Sequence, residues 1–367
     1  MTINEKLVNW IVKRVENDYA DDIALILLYG SYVNGTANEK SDVDCYFIPR
    51  TERGYQFAAD FIIQDIGYDI FPMNWERVER IAELKEVIVP CVGDVQVLFY
   101  HSSEELERFK KLQKQLQDNL NNQDYAKKIA KEKFESVCPL YSELMDCDGL
   151  MEARILAGNI IMTLADAVAV YNQDYYHFGL KKQFEDLQKF EYVPANFIEE
   201  YENVIKSENL SNVKLHCQNL VKAFAEFAAW ELPEDEKQKE TLMEEESAKE
   251  DSAKEDSAEN QPTDFYFLAR LYEEISSTFN KIYVCAENGN YRLAFLSAVC
   301  LQGELQEISQ EQGIACYDIL SAYDYNDLTK LAETTRKVEQ AFIQLITESG
   351  EKINKFSDFE DFERAKL

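Results

Sequence analysis

Two rhythms of apolar and polar residues divide the chain. Near its start Leu7, Val8, Ile11, Val12 and Val15 recur at helical spacing behind Thr2 and Glu5, which are placed as in a capping box, and predict an opening helix. The rhythm then changes. Ile23 to Tyr29 is an unbroken apolar run of strand length, and Val43, Cys45 and Phe47 alternating with Asp42 and Asp44 predict a second strand. Residues 55–64 read as a helix, 67–73 as a strand and 75–87 as a helix. Val95 to Tyr100 reads as the strand that closes the sheet, with Ser102 or Ser103 capping the helix after it. Strands at this hairpin-like spacing predict a small mixed sheet rather than a doubly wound one.

From about residue 105 the helical period takes over. Residues 150–172 form a strong apolar helix, Val193-Pro194 interrupts the segment, and 263–350 returns to amphipathic helix with a turn at Asn288-Gly289-Asn290 and a later helix around 326–348. The aromatic stripe Phe265, Phe267, Tyr272, Phe279 and Tyr283 reads as core. The expected fold class is therefore α+β, a small mixed β-sheet domain followed by helical bundles. Its expected parts are a sheet domain over 1–110, a helical domain over 111–231, an acidic low-complexity linker over 232–262 and a C-terminal helical bundle over 263–367. The last reads as a packing or dimerisation module, so an oligomer would form through these helices.

Charge narrows the partners. The 367 residues hold 69 acidic against 38 basic side chains, a formal net charge of −31. Phosphate backbones call for a basic footprint, so nucleic acid is not expected as a partner, whereas a nucleotide needs only a local pocket. About −8 of that charge lies between Pro233 and Pro262, where twelve acids face four lysines around the repeat Ser247–Asp251 and Ser252–Asp256. No apolar run approaches the length of a membrane span and the first residues open no signal peptide, so the expected location is cytoplasmic. Eight cysteines are scattered without C-x-x-C or zinc spacing, and the His216-Cys217 pair has no partners at ligand spacing. Cys45 reads as core.

The candidate chemistry lies in Gly30-Ser31, followed after ten intervening residues by Asp42-Val43-Asp44. In an extended strand residues two apart share a face, so Asp42 and Asp44 project together. Adjacent carboxylates repel unless a cation sits between them, and Mg²⁺ suits such a pair with phosphate oxygens as further ligands. Gly30 permits a sharp turn with close backbone approach, and Ser31 offers its hydroxyl beside N–H groups that favour an anion. Asp69, inside the apolar stretch Gly67 to Met73, is the candidate third carboxylate, preferred over Asp65 because its flanks alternate as in a buried strand.

These residues resemble the signature of the DNA polymerase β-type nucleotidyltransferase superfamily, closest in look to bacterial aminoglycoside- and lincosamide-type nucleotidyltransferases, over roughly residues 20–100. The resemblance implies that Gly30 and Ser31 touch the triphosphate and that Asp42 and Asp44 are metal ligands. Asp69 would complete the metal site or take the acceptor's proton. It further implies Mg²⁺ as cofactor, ATP or another nucleoside triphosphate as substrate, and a small hydroxyl-bearing acceptor, with AMP as the group moved. A helical domain would close over the nucleotide, with Asn159, Asp166, Tyr175, Tyr176, Lys181 and Lys182 as candidate contacts. An antitoxin-like regulator that adenylylates a protein, and a non-catalytic nucleotide-binding scaffold, are the alternatives. Helical domains of nucleotide-handling families sometimes act as RNases through Arg followed by His, but no histidine occurs after His216.

Overall fold

A computed structural model describes residues 1–37, 41–230 and 263–365; the acidic linker expected over 232–262 lies outside the described residues. The capping box forms as its residues dictate. Thr2 Oγ1 accepts the Glu5 N–H at 3.2 Å and the Glu5 carboxylate accepts the Thr2 N–H at 2.7 Å, opening helix α1 (Ile3–Arg14). Strand β1 (Ile23–Tyr29), a single-turn helix α2 (Gly30–Val33) and strand β2 (Asp44–Pro49) follow. Then come β3 (Ala59–Ile63), β4 (Ile66–Pro72), α3 (Trp75–Ala82), α4 (Pro90–Gly93), β5 (Gln96–Tyr100) and α5 (Ser103–Leu120), the last capped by Ser102.

With a short strand β6 (Lys355–Phe356) these make one mixed sheet in the order β5-β1-β2-β4-β3-β6. Strand β1 is antiparallel to both neighbours and β2 runs parallel to β4. The alternation along β2 decides its two faces. Cys45 and Phe47 join Leu7, Ile11, Ile26 and Leu28 in one core, while Tyr46 and Ile48 join Leu25, Leu27, Val78 and Phe109 in another.

Residues 55–64 are not a helix. A 3₁₀ turn at Glu52–Phe57 gives way to β3, in which Phe61 and Ile63 join the core of Cys45 and Phe47 while Ile62 faces the helical core. The two-residue connection Gln64-Asp65 takes φ of 51° and 65°, the conformation of a type I′ hairpin turn. That turn usually announces itself by Asn-Gly or Asp-Gly, so here the hairpin carries no sequence signal.

The remainder is helical: α6 (Gln123–Asp146), α7 (Leu150–Tyr171), α8 (Gln183–Leu187), α9 (Phe197–Lys206), α10 (Leu210–Ala228), α11 (Phe265–Asn288), α12 (Tyr291–Gln312) and α13 (Thr329–Glu348). Gly289, at φ 67°, ends α11 in the left-handed conformation expected of that turn. Helices from before and after the acidic segment share one hydrophobic core that includes Phe134, Leu164, Phe224, Phe279, Phe295 and Phe342. Gly158 brings the backbone of α7 close to α12, since a Cβ there would collide with Val299. Buried Arg154 donates to the carbonyls of Leu320 (2.7 Å) and Ser207 (3.3 Å), tying α7 to both halves.

Helix α7 corrects one expectation. Its 22 residues are long and apolar enough, by length and composition alone, to cross a membrane, but most of the stretch is buried by neighbouring helices. The chain end returns to the sheet. Helix α14 (Phe359–Ala365) sets Phe362 against Phe61 at 4.3 Å and Trp10 at 4.9 Å between ring centroids. Helix α11 lies across β3 and β4, where Gly67 leaves room for Ser276 and the Asn280 amide donates to the Asp65 carbonyl. Glu273 of α11 is fully buried, paired with Arg270 at 2.8 Å and accepting from the Asn354 N–H just before β6.

Candidate active site

The end of β1 and the start of β2 lie side by side, with Tyr29 in register with Asp44. Gly30 turns the chain into α2 at φ 69°, and a Cβ on it would run into the Asp44 carboxylate. Only glycine serves both needs. The Asp44 carboxylate accepts a hydrogen bond from the Ser31 N–H, and the Ser31 carbonyl in turn accepts from Thr36 and Ala37 at 3.0 Å each. The approach to β2 is pinned from α1: the Asn4 amide donates to the Ser41 carbonyl at 2.9 Å, and Asn4 Oδ1 accepts the Tyr68 hydroxyl at 2.9 Å.

Register places the next carboxylates. Strands β2 and β4 align Cys45 with Ile70, which sets Asp44 and Asp69 at neighbouring positions of the same face. Strands β3 and β4 align Asp60 with Asp69. A row of acids thus runs Asp44, Asp69, Asp60 across three strands, with Asp42 at its head. Asp60 was hidden by the helical reading of 55–64. Asp65 sits apart in the exposed hairpin turn, paired with Lys355 at 2.6 Å.

Crowding raises these carboxyls. Burial, then the neighbouring Asp42, pushes Asp44 up to about 7. Burial, then the charge of Asp60 and a hydrogen bond with it, pushes Asp69 up to about 9. Burial raises Asp42 and Asp60 as well. The positive charges opposing this on Asp42 are Lys281 of α11 and then Lys181, which precedes α8. From α11, Lys281 thus acts on Asp42 and Asp44, and Glu274 acts on Asp69; neither was among the expected site residues.

Among the described residues no three His, Cys, Asp or Glu side chains gather as a metal cage. The Asp42–Asp44 pair fits Mg²⁺ on other grounds: two hard oxygen donors, crowded enough to be relieved by a cation, suit an ion that keeps waters and substrate phosphates as its other ligands.

The remaining candidates divide. Lys181 is exposed and acts on Asp42, whereas Lys182 lies over the Phe178 ring at 4.1 Å. Asp166 is buried against Lys133 at 2.6 Å, and the Tyr176 hydroxyl donates to the Ala165 carbonyl at 3.0 Å; both belong to the helical core. Tyr175 is buried beside Asp94, and His177 bridges Asp94 (2.7 Å) and Asp174 (3.2 Å), fastening this loop to the end of α4. Asn159 is half-buried on α7. His216 pairs with Glu200 at 2.6 Å and Cys217 is buried, a structural arrangement.

No curated protein matches the chain. Residues 8–147, which hold the Gly30 turn and all four acids of the row, match the family model of the nucleotidyltransferase domain, consistent with the DNA polymerase β-type superfamily.

Proposed function

We propose that the protein is a Mg²⁺-dependent nucleotidyltransferase that moves a nucleoside monophosphate, AMP from ATP in the first instance, onto a hydroxyl of a small polar acceptor of the aminoglycoside type. The observation that carries this is the convergence of Asp42 and Asp44 behind the Gly30 turn, with Asp69 one strand away. Asp42 and Asp44 would hold Mg²⁺, which supplies positive charge for the phosphate and attacking oxygens. Gly30 and Ser31 would receive the triphosphate through backbone N–H groups and the Ser31 hydroxyl. The acceptor oxygen bonds to the α-phosphorus as the bond to pyrophosphate breaks. Asp69 serves as third ligand or as the group that takes the hydroxyl proton.

A cationic acceptor suits the wall facing Asp69. Glu274 of α11 acts on Asp69, and on α12 desolvation of its carboxyl and then the charge of Glu274 push Glu304 up to about 7. The Asp60 charge, after burial, raises Glu274 in the same sense. Carboxylates that repel one another are relieved by a bound amine.

The test is pyrophosphate release by the full chain with ATP and Mg²⁺ against a panel of aminoglycosides, lincosamides and candidate proteins. Release that requires an aminoglycoside and stops with EDTA is the expected result. Turnover with a protein acceptor alone would overturn the small-molecule reading. Tight nucleotide binding without turnover on any acceptor would mark a scaffold instead.

Gly30→Ala tests the turn. Alanine at this φ costs about 1–2 kcal/mol, and its Cβ displaces Asp44. Steady-state assays should show kcat lowered by about tenfold or more with Tm only slightly reduced.

A further inference from the structure

We propose that Lys281, supplied by α11 from the C-terminal part of the chain, binds the phosphates of the nucleoside triphosphate beside the Asp42–Asp44 pair. This rests on the nucleotidyltransferase reading and adds a residue outside the matched domain, residues 8–147.

Geometry places Lys281. Helix α11 is locked across the hairpin: Gly67 admits Ser276, and the next turn's Asn280 donates its amide to the Asp65 carbonyl. Lys281 comes directly after Asn280 and stands one turn beyond Ser277 and two beyond Glu274, a single stripe on the helix. Glu274 acts on Asp69, while Lys281 acts on Asp42 and Asp44, so this stripe runs along the carboxylate row. On the next helix, α12, Cys300 and Glu304 also feel Lys281.

Chemistry then chooses the ligand. Lys281 is exposed and makes no ion pair within 4.0 Å among the described residues, although acids surround it. An ammonium with three donors near a pair of metal-binding carboxylates is placed for phosphate oxygens, whose charge that pair alone would repel. Lys181, which precedes α8, also acts on Asp42 and is the weaker influence of the two.

The experiment is equilibrium binding of ATP, GTP, CTP and UTP to the full chain with Mg²⁺, alongside adenosine, for wild type, Lys281→Ala and Lys281→Arg. Loss of one charge-assisted contact should weaken binding of the preferred triphosphate about tenfold in Lys281→Ala, leave adenosine binding unchanged, and be rescued to within about threefold in Lys281→Arg. Triphosphate binding within twofold of wild type in Lys281→Ala would overturn the assignment of Lys281 and leave the nucleotidyltransferase reading standing. Equal weakening toward adenosine and triphosphate would also overturn it, as a general effect on the fold. A wild-type protein that binds none of the four triphosphates would overturn both.

Discussion

Asp44→Asn should lower kcat for nucleotidyl transfer by about a thousandfold and, in the same protein, raise the stability of the metal-free fold at pH 8. The catalytic loss comes from removing one of two charges that would hold the cation; about 4 kcal/mol of transition-state stabilisation is the scale of such a site. The gain in stability comes from the crowding of the acids. The Asp44 carboxyl titrates near 3.8 when unperturbed and near 7 in the folded chain, because burial and then Asp42 disfavour its charge. Between those values the folded state holds a proton that the unfolded chain has released. The stability tied to this group is therefore complete below about pH 4 and is lost as pH rises through about 7. Asparagine carries no such penalty and can still accept the Ser31 N–H. Urea unfolding in EDTA should give the variant an advantage of about 1–3 kcal/mol at pH 8 and almost none at pH 4. Adding Mg²⁺ should stabilise wild type and leave the variant unmoved. A variant less stable than wild type at pH 8 would show that Asp44 is not strained by its neighbours.

Much of this site could be read from sequence because strand geometry is local. The alternation of Asp42, Val43, Asp44, Cys45 and Phe47 fixes which side chains share a face, and the apolar run before Gly30 fixes where the turn must come. Asp69 could be found for the same reason. Asp60 could not, because Gln64 and Asp65 adopt positive φ without the glycine or asparagine that usually marks a hairpin, and the segment before them then reads as helix. Lys281 and Glu274 were beyond reach for a different reason. An amphipathic helix shows its own buried stripe, as α11 does with Leu268, Tyr272, Ile275, Phe279 and Ile282, but not which partner its polar stripe meets. Strand β6 has two residues and no period to detect, so the return of the chain end to the sheet was equally silent.

Gly67→Val should lower stability by about 3 kcal/mol and reduce transfer through residues it does not touch. Gly67 is a point of close approach between the sheet and α11. A Cβ there would strike the Ser276 hydroxyl and stand 3.0 Å from the Glu273 carbonyl and 3.3 Å from the Ser277 nitrogen. The hydroxyl can rotate away, but the two backbone atoms cannot, so even alanine forces α11 outward and valine forces it further. The displacement breaks two contacts that depend on this close approach, the Asn280 bond to the Asp65 carbonyl and the bond between buried Glu273 and Asn354. It also carries Lys281 and Glu274 away from the carboxylate row, so kcat should fall about tenfold in the protein that remains folded. Gly303→Ala on α12 is the matched control, because a Cβ there meets nothing, and alanine in a helix should stabilise by about 1 kcal/mol. Urea midpoints for the two variants, measured with activity on the same samples, separate the outcomes. A Gly67→Val protein that keeps the wild-type midpoint would mean α11 does not bear on β4. Loss of stability with full activity would mean that α11 supports the sheet without furnishing any part of the site.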